Sequence, residues 1–147
     1  MTKLNNILEI KAKLVLQTGL HIGAGDSEMH IGGIDNSVIK HPITQSPYIP
    51  GSSLKGKIRT LLEWRSGAVQ SSPLSLKDIS KNPEEVKNIL RLFGISGDAQ
   101  NSEQEVAEIG VSRLAFWDCA LNEAWENAIR EDNQLLTEAK SENTIDR

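Results

Sequence analysis

The sequence has a single cysteine, Cys119, among its 147 residues, so an internal disulfide is excluded. It also lacks a Cys-x-x-Cys pair and any clustered cysteine and histidine residues of the kind that hold structural zinc. Because Phe116, Trp117 and Ala120 beside it are apolar or aromatic, we interpret Cys119 as a buried structural thiol. The function of the chain must therefore depend on other residue types.

Long apolar runs are missing as well. No stretch approaches the roughly 20 residues that a membrane-crossing helix needs, and the first residues, MTKLNNILEIKAKL, lack the apolar centre of a signal peptide. These absences predict a cytoplasmic protein without a membrane partner. The hydrophobic share of 38% and the charged share of 24% are typical of a globular protein. The length predicts one domain, 1–147.

An overall excess of basic residues, common in nucleic-acid-binding domains, is absent too, since the net charge is −4 at pH 7. The charge is unevenly distributed, however. Residues 1–65 have 8 Lys and Arg against 5 Asp and Glu, whereas residues 66–147 have 8 against 15. A local basic patch can still bind a polyanion, because salt screens charges that lie beyond about 8–10 Å. The acidic half suits solubility or a protein partner.

The alternation of apolar and polar residues predicts several β segments. Residues 7–18 indicate a strand with one buried face, and a glycine-rich loop region follows over 19–36. A short β segment at 38–40 leads to prolines between 42 and 50 that indicate a hairpin or extended turn. Residues 111–121 predict another strand.

Two helices have clear start signals. The first begins after Pro50, with Ser52 or Ser53 as its N-cap. The second begins after Asn82, has acidic residues in its first turn, and ends at Gly94. Four residues of this second helix are predicted to face inward: Val86, Ile89, Leu90 and Phe93.

The remaining segments predict loops over 66–81 and 95–110, and helix or irregular structure over 122–140. The order of strand, loops, helix, helix and strand indicates an α+β fold. Two or three strands with two helices do not complete a sheet, so a closing strand is missing from this pattern.

Residues 50–59, PGSSLKGKIR, combine several features of a phosphate-binding site. A helix that begins near Gly51 presents unpaired backbone N–H groups and the positive end of its dipole to an anion. Ser52 and Ser53 add hydroxyl donors at the same end. Positive charge on the first turns comes from Lys55, Lys57 and Arg59.

Gly56 lies inside the predicted helix, where glycine costs about 1 kcal/mol relative to alanine, and would let a ligand or a neighbouring chain approach the backbone. The segment is not a Walker A loop, because Lys57 is followed by Ile58 rather than by Ser or Thr. The residues alone leave two interpretations open: a site for an extended phosphate ligand, or a capped surface helix with solvated lysines.

His21 and Asp35 stand out in the glycine-rich region. His21 lies between glycines in GLHIGAG and fits either a turn histidine or an RNA contact. Asp35 lies in GGIDNS, where an aspartate is most often a turn former. No second carboxylate, histidine or lysine lies at a spacing that would identify a catalytic pair.

Taken together, the segments resemble a known family. The runs GLHIG at 19–23, IGGIDNSVIKHPIT at 31–44 and PYIPGSSLKGKIRTLLE at 47–63 are similar to the backbone subunit of type III-A CRISPR Csm complexes, a member of the RAMP superfamily. The runs ILRLFG, RLAFWDCAL and SENTIDR resemble the same family in the same order. The divergent stretches are 66–82, 95–110 and 122–136.

The resemblance implies an RNA-recognition-motif-like (ferredoxin-like) palm with inserted lid and thumb elements. Family members continue past the IDR motif to a final strand that this chain does not include. We therefore expect a single RAMP-type RNA-binding domain, 1–147, that corresponds to the N-terminal two-thirds of the family, as a gene fragment or one part of a split protein.

The resemblance also implies a function in antiviral defence. Copies of such a subunit form a helical filament on the guide RNA (crRNA), join the other Csm subunits, and cut the bound target RNA as a metal-dependent endoribonuclease. The position that matches the family's catalytic and metal-binding aspartate is Asp35, with Mg²⁺ as the expected metal. The positions that match its guide-RNA contacts are His21, Ser52, Ser53, Lys55, Lys57 and Arg59.

Other interpretations remain open on the sequence. The chain could be a non-cleaving RNA-binding assembly subunit or an inactive fragment, or it could be the counterpart from the related type III-B complexes. The close match of GIDNSVIKHPIT favours type III-A.

Overall fold

A computed structural model of the chain describes residues 4–25, 37–69, 72–95 and 103–138. The chain divides into two compact units, Met1–Val38 and Ile39–Arg147, and the single domain expected from its length stays a prediction. None of the helices within the described ranges combines the length and the apolar character needed to span a bilayer. The helices are α1 (Gly51–Ser66), a short 3-10 helix (Leu76–Asp78), α2 (Pro83–Phe93), α3 (Glu103–Ile109) and α4 (Glu123–Glu131).

The core of the larger unit forms where α1, α2 and α3 meet the segments beside them. Leu74, Val86 and Leu90 have no exposed surface. The aromatic rings of Phe93 and Phe116 stack with their centroids 6.1 Å apart, which brings the 111–121 segment against the end of α2. The other buried apolar residues are Ala68, Leu76, Ile89 and Ile109.

Helix α2 confirms the prediction made from its end signals. Pro83 occupies its first turn, two glutamates follow it, and Gly94 ends the helix with a φ of 93°, a left-handed value that favours glycine. Val86, Ile89, Leu90 and Phe93 are all buried, as their spacing on one helical face predicts. The residues at the ends of α2 and the spacing of its apolar residues thus predict the same helix that the structure shows.

Helix α1 differs from its prediction at its first residue. The N-cap predicted at Ser52 or Ser53 is wrong, because the helix begins at Gly51 with Pro50 in the N-cap position and no side-chain cap from either serine. The Gly51 N–H instead donates to the Asp118 carboxylate at 2.7 Å. A distant residue thus supplies the acceptor that the local sequence was expected to supply.

The hairpin predicted between the prolines is confirmed. Lys40 and Pro47 form an antiparallel bridge, and the His41 N–H donates to the Ser46 carbonyl at 2.9 Å. Ile49 then pairs with Cys119 through two backbone hydrogen bonds of 2.8 and 3.0 Å. The Cys119 side chain is half-buried rather than buried as predicted, and Trp117, expected to help cover it, is 78% exposed.

Two predicted strands are not formed as such. Residues 7–18 have no ladder partner within the described residues, and Leu8 and Ile10, which were expected to be buried, are 85% and 89% exposed. Residues 111–121 make one bridge to the parts of the chain that the structure describes, at Cys119. Alternation describes a strand's faces but supplies no partner, and a strand exists only through its pairing. The loop expected over 95–110 was also wrong in part, since it contains α3.

Helix α4 is joined to the hairpin by a polar cluster. Arg130 donates to the Glu126 carboxylate at 2.9 Å, to the Ser46 hydroxyl at 2.9 Å and to the Thr44 carbonyl at 3.3 Å. The Ser46 hydroxyl also donates to Glu126. The hydrogen bonds from Ser46 and, to a smaller extent, from Arg130 lower the pKa of Glu126.

In the loop before α2, hydrogen bonds from Lys81 and the Ser75 backbone lower the pKa of Asp78.

Gly51 and Gly56 form a matched pair for a stability test. A Cβ on Gly51 would lie 2.3 Å from the Phe116 carbonyl oxygen, whereas a Cβ on Gly56 would meet nothing within 4 Å. We expect Gly51→Ala to lower the free energy of unfolding by about 3 kcal/mol, the upper end of the range for overpacking. Gly56→Ala should raise it by up to about 1 kcal/mol, the helix-propensity difference. Urea denaturation measures both, and equal effects would contradict the close approach at Gly51.

Candidate nucleic-acid interface

The side of α1 that points away from the core is lined by exposed residues. Its spacing of three and four residues places Ser53, Lys57, Leu61 and Trp64 on one line along the helix, and all four are exposed. We call these four residues the outer face of α1. Ser52 and Gly56 beside it are exposed too. Glu63, the acidic residue of α1, is 4% exposed and lies on the other side, so the outer face has positive charge only.

The N-terminus of α1 is partly occupied by the protein's own carboxylate. Asp118 accepts from the Gly51 N–H, so one of the donors predicted for a phosphate is already used. The N–H groups of Ser52 and Ser53 meet no acceptor within the described residues. The backbone N–H groups that remain to bind an anion at this helix end are therefore those of Ser52 and Ser53. Asp118 was missed from the sequence, where a lone polar residue in the run LAFWDCAL was its one signal.

Lys55 points toward the neighbouring segment. Its ammonium group donates to the Ser112 hydroxyl at 3.0 Å and to the Leu114 carbonyl at 3.2 Å. Ser112 in turn donates to the Leu92 carbonyl at 3.1 Å, near the end of α2. Lys55 thus links α1 to α2 through residues 112–114, and a contact with guide RNA by this side chain stays a prediction.

Arg59 is still more deeply engaged inside the protein. Its side chain is 19% exposed and forms an ion pair of 2.7 Å with Glu63, which is 5% exposed. It also donates to the Gly94 carbonyl at 2.9 Å and to the Leu74 carbonyl at 3.3 Å. A contact between Arg59 and guide RNA, like that of Lys55, stays a prediction. It would require the side chain to leave these acceptors and bind the RNA. A planar guanidinium with five N–H donors can bind a carboxylate and two carbonyl groups at the same time, as Arg59 does here.

Lys57 differs from the other two cations of the segment. It is exposed on the outer face, and its ammonium group makes no hydrogen bond or ion pair to the parts of the chain that the structure describes. Its charge is therefore directed to solvent or to a ligand. Of the six predicted guide contacts, the structure brings Ser52, Ser53 and Lys57 together as an exposed group at the N-terminal half of α1.

The two other predicted site residues lie earlier in the chain. His21 is exposed in the Met1–Val38 unit. Asp35, predicted as the catalytic and metal-binding residue, lies outside the described residues. Within the described ranges, no three His, Cys, Asp or Glu side chains come close enough to hold a metal ion.

The contrast between Arg59 and Lys57 can be tested without any ligand. We expect Arg59→Ala to lower the free energy of unfolding by about 3 kcal/mol, because it leaves Glu63 buried without its partner. Lys57→Ala should change it by less than about 0.5 kcal/mol, as is usual for a surface residue. Urea denaturation measures both. The double variant Arg59→Ala/Glu63→Gln should recover part of the loss, and no recovery would contradict the assigned pairing.

The chain is similar to known proteins over most of its length. The family model described as the RAMP superfamily matches residues 13–147. The chain is 42% identical over 144 residues to the CRISPR system Cms endoribonuclease Csm3 of Streptococcus thermophilus, which covers 95% of this chain and 56% of that protein. It is 38% identical over 141 residues to the protein of the same name from Mycobacterium tuberculosis, covering 95% of this chain and 52% of the relative.

The Enterococcus italicus protein of the same name is 37% identical over 140 residues, covering 95% of this chain and 58% of the relative. The chain thus spans a little over half the length of these curated relatives. The family match itself extends over most of the sequence and includes all of α1. The chain belongs to the RAMP superfamily.

Proposed function

We propose that the chain acts as a Csm3-type backbone subunit of a type III-A CRISPR effector complex and binds guide RNA through the N-terminal half of α1. The observation that carries the proposal is the exposed group of Ser52, Ser53 and Lys57 at a helix N-terminus with unpaired N–H groups. Its relatives are named CRISPR endoribonucleases, and GSSLKGKIR is part of the resemblance. The palm with inserted lid and thumb elements belongs to the same proposal.

Contacts of this type suit a strand of any sequence. Hydroxyl and backbone N–H donors, together with an ammonium group, bind phosphate oxygens and sugars, which carry no sequence information. One protein can therefore hold every guide. In this proposal Lys55 and Arg59 set the position of α1 through their internal contacts, while Lys57 and the two serines face the RNA. His21 would add a contact from the Met1–Val38 unit. Self-association on the RNA and the other Csm subunits as partners follow from the resemblance.

Cleavage of target RNA is proposed to depend on Asp35. In such a reaction the ribose 2′-oxygen attacks the adjacent phosphorus, the bond to the 5′-oxygen breaks, and the proton lost by the 2′-hydroxyl is balanced by one gained at the 5′-oxygen. Holding the attacking and leaving oxygens in line accounts for much of such a rate enhancement. An aspartate with an ordinary pKa of about 3.9 is a weak base near neutral pH, so positioning and charge are its more effective contributions.

A divalent cation, most simply Mg²⁺, fits a carboxylate and phosphate oxygens as ligands. Bound there, it would neutralise charge that develops on the phosphate. Asp35 is the residue of this chain proposed to hold the ion, because it matches the metal-binding aspartate of the family that the sequence resembles. The cytoplasmic location predicted from the sequence stays a prediction.

The salt dependence of RNA binding tests the role of Lys57. We expect Lys57→Ala to weaken binding of single-stranded RNA and to reduce the slope of log K against log salt by about 0.7, because one phosphate contact is lost. The matched control is Lys87→Ala, which changes the net charge equally but removes a lysine paired with Glu108 on α2 and α3. Equal slopes for both variants would mean that net charge, and not the α1 site, governs binding.

Replacement of Asp35 tests the catalytic part of the proposal. In a complex reconstituted with guide RNA, Asp35→Ala should abolish cleavage of the target at sites served by this subunit and leave target binding intact. Asp26→Ala, which removes another carboxylate of the same glycine-rich region, should leave both unchanged. Gel analysis of labelled target RNA measures cleavage. Unchanged cleavage in Asp35→Ala would contradict the catalytic role of Asp35, and no cleavage by the wild type would favour a non-cleaving assembly subunit.

A further inference from the structure

The outer face of α1 continues beyond the phosphate-binding group to an exposed aromatic residue. Trp64 is 62% exposed, and it follows Lys57 by seven residues, which is nearly two helical turns and about 10 Å along the axis. The two side chains therefore leave the same side of one rigid helix. A large aromatic ring that stays mostly exposed is available to stack on a partner, and such rings dominate the energetics of interfaces.

The backbone around Trp64 is held by its neighbours. Trp64 lies in the last turn of α1, where its carbonyl accepts from the N–H of Gly67 at 3.1 Å, and Gly67 ends the helix with a left-handed φ of 67°. Glu63 before it and Ser66 after it are buried. The backbone at Trp64 is therefore held on both sides while the indole ring is presented to solvent, as a preformed binding platform would require.

The charges around Trp64 indicate the chemistry of its partner. Lys57 on the outer face and Arg65 directly after Trp64 are exposed cations, and the acid of α1, Glu63, is buried and neutralised by Arg59. The surface is thus positive and aromatic on a chain with a net charge of −4. Aromatic rings interleaved with cations are typical of surfaces that bind single-stranded nucleic acid, where the cations contact phosphates and the rings stack on bases.

We propose that Trp64 stacks on a nucleobase of the single-stranded RNA whose phosphates are bound by Ser52, Ser53 and Lys57. This inference rests on the proposed RNA-binding function and extends it from the phosphate backbone to the bases. Every base has a π-face, so such a contact adds affinity without demanding a sequence. It also gives the path of the strand, which lies along α1 between its N-terminal serines and its C-terminal turn.

Fluorescence of Trp64 provides a direct test in the full chain. The protein has three tryptophans, so the variant Trp117→Phe/Trp125→Phe leaves Trp64 as the single emitter. Its emission should be quenched by a single-stranded RNA oligonucleotide but not by an abasic oligonucleotide of the same length, since the latter has phosphates and no bases. Equal quenching by both, or none by the RNA, would overturn the stacking contact.

Affinity measurements separate this inference from the function on which it rests. Trp64→Ala should weaken RNA binding by at least about fivefold, the increase in Kd expected when one base loses its stacking on an aromatic ring. Trp64→Phe should weaken it less, because a phenyl ring can still stack. Trp125→Ala, which removes an exposed tryptophan from α4, is the matched control and should bind normally. Thermal unfolding checks that the variants are folded.

The possible outcomes can be distinguished. Normal RNA affinity of Trp64→Ala, together with the loss expected for Lys57→Ala, would overturn the stacking contact and leave the proposed function intact. Altered self-association of Trp64→Ala at normal RNA affinity would assign the ring to contact with a second copy of the chain, which also overturns the inference. An absence of RNA binding by the wild type would contradict the proposed function itself.

Discussion

The N-terminus of α1 and the backbone of residues 116–118 approach each other so closely that only glycine fits between them. A Cβ on Gly51 would meet the Phe116 carbonyl oxygen at 2.3 Å and the Trp117 carbonyl carbon at 2.9 Å. This approach brings the Asp118 carboxylate to the Gly51 N–H and allows Ile49 to pair with Cys119. The position of the first residue of α1 and the carboxylate beside it follow from this contact.

The same arrangement divides the cations of α1 between two tasks. Because residues 112–118 lie along one side of the helix, Lys55 finds acceptors there, and Arg59 reaches Glu63 and the end of α2. Lys57 lies on the opposite side, where the described part of the chain offers no such acceptor. Three cations that look equivalent in the sequence thus differ in the structure: Lys55 and Arg59 bind groups of the protein itself, and Lys57 is exposed. The helical period of 3.6 residues explains the difference, because it places neighbouring positions on different sides of the helix.

The sequence predicted best those elements whose signals are local. Pro83 and Gly94 begin and end α2 through their own backbone preferences, and the prolines around the hairpin act in the same way. Prediction was poorest for 7–18 and 111–121, where alternation was present but the ladder was not formed within the described residues. Pairing between strands depends on a partner that lies elsewhere in the chain, and no local pattern encodes it.

By itself, the sequence determined the candidate segment 50–59, the residue types able to bind phosphate, and the resemblance that family comparison confirmed at the level of the RAMP superfamily. Asp35 was identified in the same way and lies outside the described residues. Only the tertiary structure decided that Lys55 and Arg59 point inward, that Asp118 covers part of the helix end, and that Trp64 lies in line with Lys57. These outcomes depend on which distant groups surround each side chain, and that information exists only after the chain has folded.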